Sequence, residues 1–167
     1  RTDFDLKQHA QFSGKDLMYR DAVTNEKFYP YVIEPSGGCD RGTLAFLVDA
    51  YDEDEVNGEK RSLLRFHPAL APTKVAVFPL VKKDGLPEIG HSIAADLRKC
   101  FTCFYDEKGA VGRRYRRQDE AGTPYCVTID GQTKEDNTVT VRERDSMEQS
   151  RININQIKSY LRDKLDL

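Results

Sequence analysis

Three features that would indicate a membrane, secreted or strongly basic protein are missing from the sequence. No apolar run is long enough to span a bilayer, and no segment has the charged and hydrophobic regions of a signal peptide. Lysine and arginine number 26 against 28 aspartate and glutamate, so the formal net charge is −2. These absences predict a cytoplasmic protein with no membrane contact. Any contact with nucleic acid therefore has to come from local clusters of Arg and Lys.

Cysteine is also scarce, and its four positions favour reduced thiols over a disulfide framework. The four cysteines, Cys39, Cys100, Cys103 and Cys126, fit reduced intracellular thiols. Cys100 and Cys103 form a single C-x-x-C without the second Cys or His pair that a zinc site needs. A redox motif would place the first Cys at a helix start, whereas Cys100 follows a predicted helix. We therefore predict no metal site and no redox role.

The chain is long enough for one domain and part of another, and its composition suggests where the two meet. It has 167 residues, of which 38% are hydrophobic. Residues 51–61 form a polar run containing Asn57-Gly58, which is typical of a loop or short linker. Two prolines in residues 63–72 disfavour a long helix. We predict domains of residues 1–62 and 63–167.

The N-terminal part predicts a short antiparallel region followed by a helix. A helical pattern covers Asp5–Phe12 and ends at Gly14, a plausible C-cap. Lys15–Arg20 and Lys27–Glu34 have the pattern of two strands joined as a hairpin. Thr43–Ala50 is strongly apolar and predicts a buried helix.

The C-terminal part predicts an α/β fold in which strands alternate with helices. Three strands separated by two helices imply right-handed crossovers and a parallel core, and a hairpin and a terminal helix follow. The result is a mixed five-stranded sheet flanked by helices. The predicted elements are strands at Val75–Val81, Phe101–Tyr105, Tyr125–Asp130, Asn137–Arg144 and Met147–Ile152, and helices beginning at Pro87, at Val111 and after the Asn153 cap.

One polar, glycine-containing stretch lies between the two apolar segments of the N-terminal part. Its sequence is Glu34-Pro35-Ser36-Gly37-Gly38-Cys39-Asp40-Arg41. Free backbone N–H groups at a helix start favour anions, and paired glycines let a ligand approach the main chain. A nucleotide phosphate would suit Arg41, and an ammonium group would suit Glu34. An ordinary strand-to-helix turn explains the same pattern.

A second cluster is basic and lies on the predicted helix at 111–121. Arg113, Arg114, Arg116 and Arg117 crowd five positions, which favours RNA contact, although Asp119 and Glu120 offer internal partners for the same charges. Unpaired bases are bound by stacking as well as by hydrogen bonds. The candidate stacking residues are Tyr105, Tyr115 and Tyr125.

Three separated segments resemble one family. The Glu34–Arg41 octet resembles motif 3 of class II aminoacyl-tRNA synthetases, in the Glu-Pro-Ser-x-Gly-x-x-Arg form of the dimeric glycyl-tRNA synthetases. The segment Arg1–Leu6 with His9, Ser13 and Gly14 is similar to the region of that family before motif 3. Gly112–Pro124 is similar to its anticodon-binding domain. The resemblance implies the end of a class II catalytic domain followed by an anticodon-binding domain.

The resemblance also implies an activity and a set of roles. The full enzyme would activate glycine with ATP and Mg²⁺, transfer it to tRNA(Gly) and act as a homodimer. The glycine site would comprise Glu34, Pro35, Ser36, Gly37 and Gly38. The ATP site would comprise Gly38, Cys39, Asp40 and Arg41, with Arg41 catalytic.

The other motifs of this family do not occur in the sequence. Because the chain begins with Arg1 inside a matching segment, we expect it to be part of a longer protein and to be inactive alone. Two alternatives stay open: a non-catalytic RNA-binding module, and a synthetase for another small amino acid such as proline or threonine.

Overall fold

The structure is a computed structural model that describes residues 2–56 and 58–165. The chain divides into two compact units, one of residues up to Gly42 and one from Thr43 onward. The domain boundary proposed from the sequence, between residues 62 and 63, lies inside a strand of the second unit. Among the described residues, no helix is long and apolar enough to cross a membrane.

The first unit contains one helix and a minimal strand pair. Helix α1 covers Phe4–Ser13 and ends at Gly14, whose positive φ of 67° and N–H bond to the Ala10 carbonyl form the predicted C-cap. Strands β1 (Tyr19–Arg20) and β2 (Lys27–Phe28) pair antiparallel. The pairing was predicted, but both strands are shorter than expected.

Local side-chain bonds and a proline explain why the strands are short. Asp16 accepts a hydrogen bond from the Met18 backbone, and Asp21 accepts bonds from Val23 and Thr24. Such bonds compete with strand pairing. Pro30 follows β2 closely, and proline has no N–H to donate to a ladder.

Helix α2 covers Cys39–Ala50, so the helix predicted at 43–50 is confirmed and begins four residues earlier. Its predicted burial is wrong within the described structure. Ala50 is its one buried residue. The apolar side chains Leu44, Phe46, Leu47 and Val48 are between 41% and 69% exposed. An apolar run shows a tendency to be buried, but burial needs a packing partner.

Residues 51–64 form a hairpin rather than the loop or linker predicted from their polarity. Strand β3 (Tyr51–Val56) pairs antiparallel with β4 (Glu59–Leu64), in register from Tyr51 and Leu64 to Val56 and Glu59. Arg61 and Leu63 are the buried residues of β4. Arg61 occupies a buried position where an apolar residue is usual. The apolar alternation by which a strand is recognised in a sequence is therefore absent from β4. Of the Asn57-Gly58 pair in the predicted loop, Asn57 lies outside the described residues, while Gly58 has a φ of 81°.

The second unit contains the predicted mixed five-stranded sheet, in the order β6-β5-β7-β8-β9. Strand β5 pairs in parallel with both β6 and β7. Strand β8 pairs antiparallel with β7 on one side and with β9 on the other. A continuous apolar run favours a strand covered on both faces, and every residue of β5 is buried. The strands are β5 (Val75–Pro79), β6 (Cys103–Tyr105), β7 (Tyr125–Ile129), β8 (Thr138–Glu143) and β9 (Gln149–Asn153).

Helices cover the two faces of this sheet unequally. On one face, α3 and α6 contribute Leu86, Ile93 and Leu97, and Ile157, Leu161 and Leu165, to the main core. The other face has a small cluster of Ala76, Phe78 and Cys126, with Tyr115 of α4 packed against it. The helices are α3 (Leu86–Leu97), α4 (Val111–Glu120), the short unpredicted α5 (Thr133–Asp136), a 3₁₀ turn (Ile154–Gln156) and α6 (Ile157–Leu165).

Gly122 follows α4 at a point where the chain requires glycine. Its φ is 77°, and a Cβ there would lie 2.5 Å from the Phe66 ring and 3.0 Å from the Leu64 carbonyl oxygen. We expect Gly122→Ala to lower the free energy of unfolding by about 2–3 kcal/mol, from backbone strain and overlap together. Urea denaturation measures this loss.

Gly109 provides the matched control for that substitution. Its φ of 75° is similar, but an added Cβ meets nothing within 4 Å. Gly109→Ala should therefore cost only the backbone strain, about 1 kcal/mol. Equal losses at the two positions would contradict the close packing of Gly122 against Phe66.

Candidate functional site

The octet Glu34–Arg41 lies at the start of α2, and all eight residues are exposed. The predicted helix start is confirmed, because α2 begins at Cys39 and the Gly42 N–H donates to the Gly38 carbonyl at 2.9 Å. The predicted strand does not reach the octet, since β2 ends at Phe28. A Cβ on Gly37 would meet nothing within 4 Å. The main chain there is open to a ligand.

The four arginines of α4 fall into different environments. Arg113 is exposed, and no ion pair or hydrogen bond of its side chain is present among residues 2–56 and 58–165. Arg117 is also exposed, but its guanidinium binds the Asp106 carboxylate and the Lys108 carbonyl. Burial opposes the ionised form of Asp106, but the hydrogen bonds from Arg117 and the Lys108 backbone, together with the nearby arginine charges, lower its pKa. Arg116 reaches Glu59 at 3.6 Å. Of the four α4 arginines, Arg113 is thus the one whose charge has no partner within the described ranges.

Arg114 is part of the protein interior, a placement that does not fit the RNA contact predicted for it. Its residue surface is 2% exposed. The guanidinium donates to the carbonyl oxygens of Gly109, at 3.1 Å, and of Pro79. Burial lowers the pKa of Arg114. The side chain thus connects α4 to the end of β5.

Asp119, suggested from the sequence as a partner for the α4 arginines, binds arginines of other segments instead. Asp119 is 1% exposed and binds two arginines from strands. Its Oδ1 and Oδ2 accept from Arg142 at 2.8 and 3.0 Å, and Oδ2 also accepts from Arg61 at 3.2 Å. The carboxylate therefore joins α4 to β8 and to the β3–β4 hairpin.

The same network continues along the hairpin. Arg61 also donates to the Arg144 carbonyl at 2.9 Å and pairs with Asp54. The bond to Asp54 and the Asp119 carboxylate raise the pKa of Arg61, although burial opposes them. Arg65 pairs with Asp54 at 2.9 Å and with Asp145 at 3.0 Å. A sequence scan finds no signal for this network, since its members come from four separate segments.

Each of the three candidate stacking residues is buried or already packed against another side chain. Tyr125 is 4% exposed, and burial raises its pKa to about 12. Tyr105 stacks on His91 with ring centroids 3.9 Å apart. The Tyr115 ring packs edge-on against Phe78, with the Arg142 guanidinium 4.9 Å from its centroid. The neighbouring Phe104, which the sequence did not single out, is 45% exposed.

An open cleft of about 430 Å³ lies beside α4. We call it the α4 cleft. It is bounded by α4, the β3–β4 hairpin, β8 and the segment entering β9. Its lining comprises Val56, Arg61, Gly112, Tyr115, Arg116, Asp119, Arg142, Met147 and Gln149. A smaller cleft of about 230 Å³ shares Tyr115 and Gln149 with it.

The cysteines lie in unlike surroundings. Cys100 is exposed and its sulfur accepts a hydrogen bond from Arg162 at 3.5 Å. Burial raises the pKa of Cys103 to about 11, so its thiol is protonated at neutral pH. In the described ranges, no group of three His, Cys, Asp or Glu side chains is placed to hold a metal ion.

Comparison with known proteins finds similarity in both units. A family model described as the anticodon binding domain matches residues 74–164. Glycine–tRNA ligases from Caldanaerobacter subterraneus subsp. tengcongensis and Clostridium tetani are 61% and 58% identical to the chain, each over 99% of it. The ligase from Rhodopirellula baltica is 56% identical over 92% of the chain. The chain spans only 30–36% of the length of these relatives.

A solved structure shows the same fold. Prolyl-tRNA synthetase from Cryptosporidium parvum, in complex with halofuginone and AMPPNP, matches with a TM-score of 0.58 and 23% identity. The match covers 62% of this chain and 22% of that one. At this level of identity the likeness concerns architecture alone.

Proposed function

The chain belongs to the anticodon-binding domain family, whose model matches residues 74–164, and from this premise we propose that it is part of a glycine–tRNA ligase. The observation that carries the proposal is the 61% identity with such a ligase over 165 residues. That range is 99% of the chain, so it includes the octet as well as the domain. A non-catalytic RNA-binding module would have no use for the octet.

In this proposal the octet supplies part of the aminoacylation site. The glycine site would comprise Glu34, Pro35, Ser36, Gly37 and Gly38. The Glu34 carboxylate would form an ion pair with the ammonium group of glycine. Gly38, Cys39, Asp40 and Arg41 would lie against ATP. The start of α2 at Cys39 supports this division, because helix N-terminal N–H groups favour phosphate. Arg41 adds directional donors for phosphate or adenine.

Mg²⁺ would accompany ATP rather than occupy a site made by this chain. The octet offers two carboxylates, Glu34 and Asp40. Mg²⁺ in nucleotide sites takes most of its ligands from phosphate oxygens and water, with one or two carboxylates. The donor set of the octet fits that arrangement. A homodimeric ligase in the cytoplasm completes the proposal.

The full-length protein that carries this chain provides the test. We expect it to exchange pyrophosphate into ATP only when glycine is present and to charge tRNA(Gly). Proline and threonine should not support exchange, and a tRNA with another anticodon should bind more weakly. Exchange with proline or threonine instead of glycine would overturn the assignment, as would tRNA binding without any amino acid activation.

Arg113 and Arg117 form a matched pair for testing RNA contact at the exposed surface of α4. Arg113 is uncommitted, whereas Arg117 is bound to Asp106. We expect Arg113→Gln to weaken binding of tRNA(Gly) and to reduce the slope of log affinity against log salt by about 0.7, the value for one phosphate contact. Thermal stability should not change.

Arg117→Gln should behave differently because its charge already has a partner. It should leave the salt slope nearly unchanged and cost less than about 1 kcal/mol of stability, as is usual for an exposed ion pair. Filter binding at several salt concentrations and thermal melting measure both quantities. A salt slope that falls for Arg117→Gln but not for Arg113→Gln would contradict this assignment of the two residues.

A further inference from the structure

The β3–β4 hairpin connects helix α2 to the rest of the second unit. Helix α2 starts within the octet at Cys39 and ends at Ala50, and β3 follows directly at Tyr51. The part of α2 from Thr43 onward belongs to the same compact unit as the hairpin and the five-stranded sheet. The direction of α2 relative to the sheet therefore depends on how the hairpin is fixed.

The C-terminal end of α2 is held at the base of the hairpin. The Arg65 N–H donates to the Ala50 carbonyl at 2.6 Å, so the residue after β4 is bound to the last turn of the helix. Ala50 packs with Phe66 and Ala71 in a small apolar cluster, and Leu64 packs against it. Such apolar contacts keep the segments close together but are not directional. The orientation of α2 is therefore set by polar contacts.

Charged side chains join the hairpin to the sheet, and we call them the junction network. Its members are Arg61, Arg65, Arg144, Asp52, Asp54, Asp119 and Asp145. Arg65 binds two carboxylates of β3, Asp52 at 2.6 Å and Asp54 at 2.9 Å. Its Nη1 also donates to Asp145, in the turn between β8 and β9, at 3.0 Å. One guanidinium group thus connects the hairpin to the far end of the sheet.

Arg65 differs from the other arginines of the junction network in its exposure. Its side chain is 34% exposed, whereas those of Arg61 and Arg144 are 1% and 2% exposed. Half-exposed ion pairs contribute little to stability, while removing one partner of a buried pair is costly. A planar guanidinium group with several carboxylate partners nevertheless fixes both distance and angle. The geometry of Arg65 therefore suits orientation more than stabilisation.

Two steps of the proposed reaction place different demands on this junction. In activation, the glycine carboxylate attacks the α-phosphate of ATP and pyrophosphate leaves, with both substrates at the octet. In transfer, a ribose hydroxyl at the 3′ end of tRNA attacks the glycyl carbonyl carbon, the bond to AMP breaks and the hydroxyl proton is released. A displacement of about 1 Å between reacting groups can cost about 10²-fold in rate. Transfer is thus the step that depends on how α2 is oriented relative to the bound RNA.

We propose that Arg65 is a positioning residue for the transfer step, acting through Asp145 to fix the direction of α2 relative to the sheet. The inference rests on the proposed function, since it assumes that the octet forms glycyl-adenylate and that the domain containing the sheet binds tRNA(Gly). A tRNA bound at that domain then meets the octet in one orientation. Activation involves no bound RNA, so it does not depend on Arg65.

The test uses the full-length protein that carries this chain, with Arg65→Gln and Asp145→Asn made separately and together. Arg151→Gln is the matched control, because Arg151 of β9 also pairs with carboxylates, Asp130 and Asp136, and its side chain is 30% exposed. Three quantities are measured: glycine-dependent pyrophosphate exchange, the Kd of tRNA(Gly), and the single-turnover rate of glycine transfer from bound glycyl-adenylate to tRNA(Gly). Thermal melting shows whether each variant is folded.

We expect Arg65→Gln to lower the transfer rate by about 10- to 100-fold, the scale of a small misplacement of the reacting groups. Pyrophosphate exchange and the Kd of tRNA(Gly) should match those of the wild type. Asp145→Asn should slow transfer in the same selective way, and the double variant should be no slower than the slower single variant, because both changes break one contact. Arg151→Gln should leave all three quantities unchanged.

Three outcomes overturn the inference while leaving the proposed function intact. In the first, folded Arg65→Gln transfers glycine at the wild-type rate. In the second, it lowers exchange and transfer by the same factor, which identifies a general structural effect. In the third, Arg151→Gln slows transfer as much as Arg65→Gln does. If Arg65→Gln does not fold, Asp145→Asn decides by the same comparison. If the wild-type protein shows no glycine-dependent exchange or does not bind tRNA(Gly), the proposed function fails together with the inference.

Discussion

Replacing Asp119 with Asn is expected to lower the free energy of unfolding by about 3–5 kcal/mol. The carboxylate is 1% exposed and receives hydrogen bonds from both Arg142 and Arg61. Asn keeps the shape but has no charge and one acceptor oxygen instead of two. Arg142 would then lose the counter-charge that it has in Asp119, and Arg61 would keep only Asp54. An uncompensated buried charge costs several times more than a surface ion pair.

Glu120→Gln is the control for this substitution. Glu120 is the next residue of the same helix, has the same chemistry and is exposed. Its replacement should change stability by less than about 0.5 kcal/mol. Urea unfolding of the two variants gives the comparison. A loss below 1 kcal/mol for Asp119→Asn would mean that the arginines find other acceptors and that the network is not held by this carboxylate.

In the full-length protein, the proposed function predicts that Arg41→Ala lowers the rate of glycyl-adenylate formation by about 10²- to 10³-fold, the usual cost of removing one preorganised charge from a reaction centre. Glu34→Ala should mainly raise the KM for glycine, because its carboxylate is proposed to bind the ammonium group of glycine in the ground state. Glycine-dependent pyrophosphate exchange, with ATP and glycine varied separately, distinguishes the two effects.

Two further variants make that experiment decisive. Glu34→Gln removes the charge while nearly keeping the shape, so it should raise the KM for glycine less than Ala does. Asp49→Asn alters an exposed charge at the far end of α2 and should leave both KM values unchanged. Similar effects of Arg41→Ala and Glu34→Ala on both substrates would show that the octet is not divided between ATP and glycine.

The sheet could be derived from the sequence because its signals are local. The continuous apolar run at Val75–Pro79 indicates a strand covered on both faces, and the regular alternation at Thr138–Glu143 indicates an antiparallel partner. The octet is recognisable for the same reason, since its residues are contiguous.

The environment of individual charges could not be derived in this way. Arg113 and Arg114 are adjacent and identical, yet one is exposed and the other is 2% exposed. The buried face of α4 consists of Arg114, Gln118 and Asp119, so no apolar stripe marks it. Which side of the helix faces the sheet is decided by acceptors on other segments, such as the Pro79 carbonyl.

The sequence by itself therefore determined the family, the five strands of the mixed sheet and the position of the octet, because each depends on neighbouring residues. Only the tertiary structure decided that the polar run after α2 forms a hairpin and that Asp119 is buried between two arginines. Both depend on contacts between distant segments: Arg61 meets Asp119 across 58 positions of the chain. The polarity of residues 51–64 indicates a linker because the partner of Arg61, the buried Asp119, lies far away in the sequence. Hydrophobic periodicity within the segment therefore cannot reveal this contact.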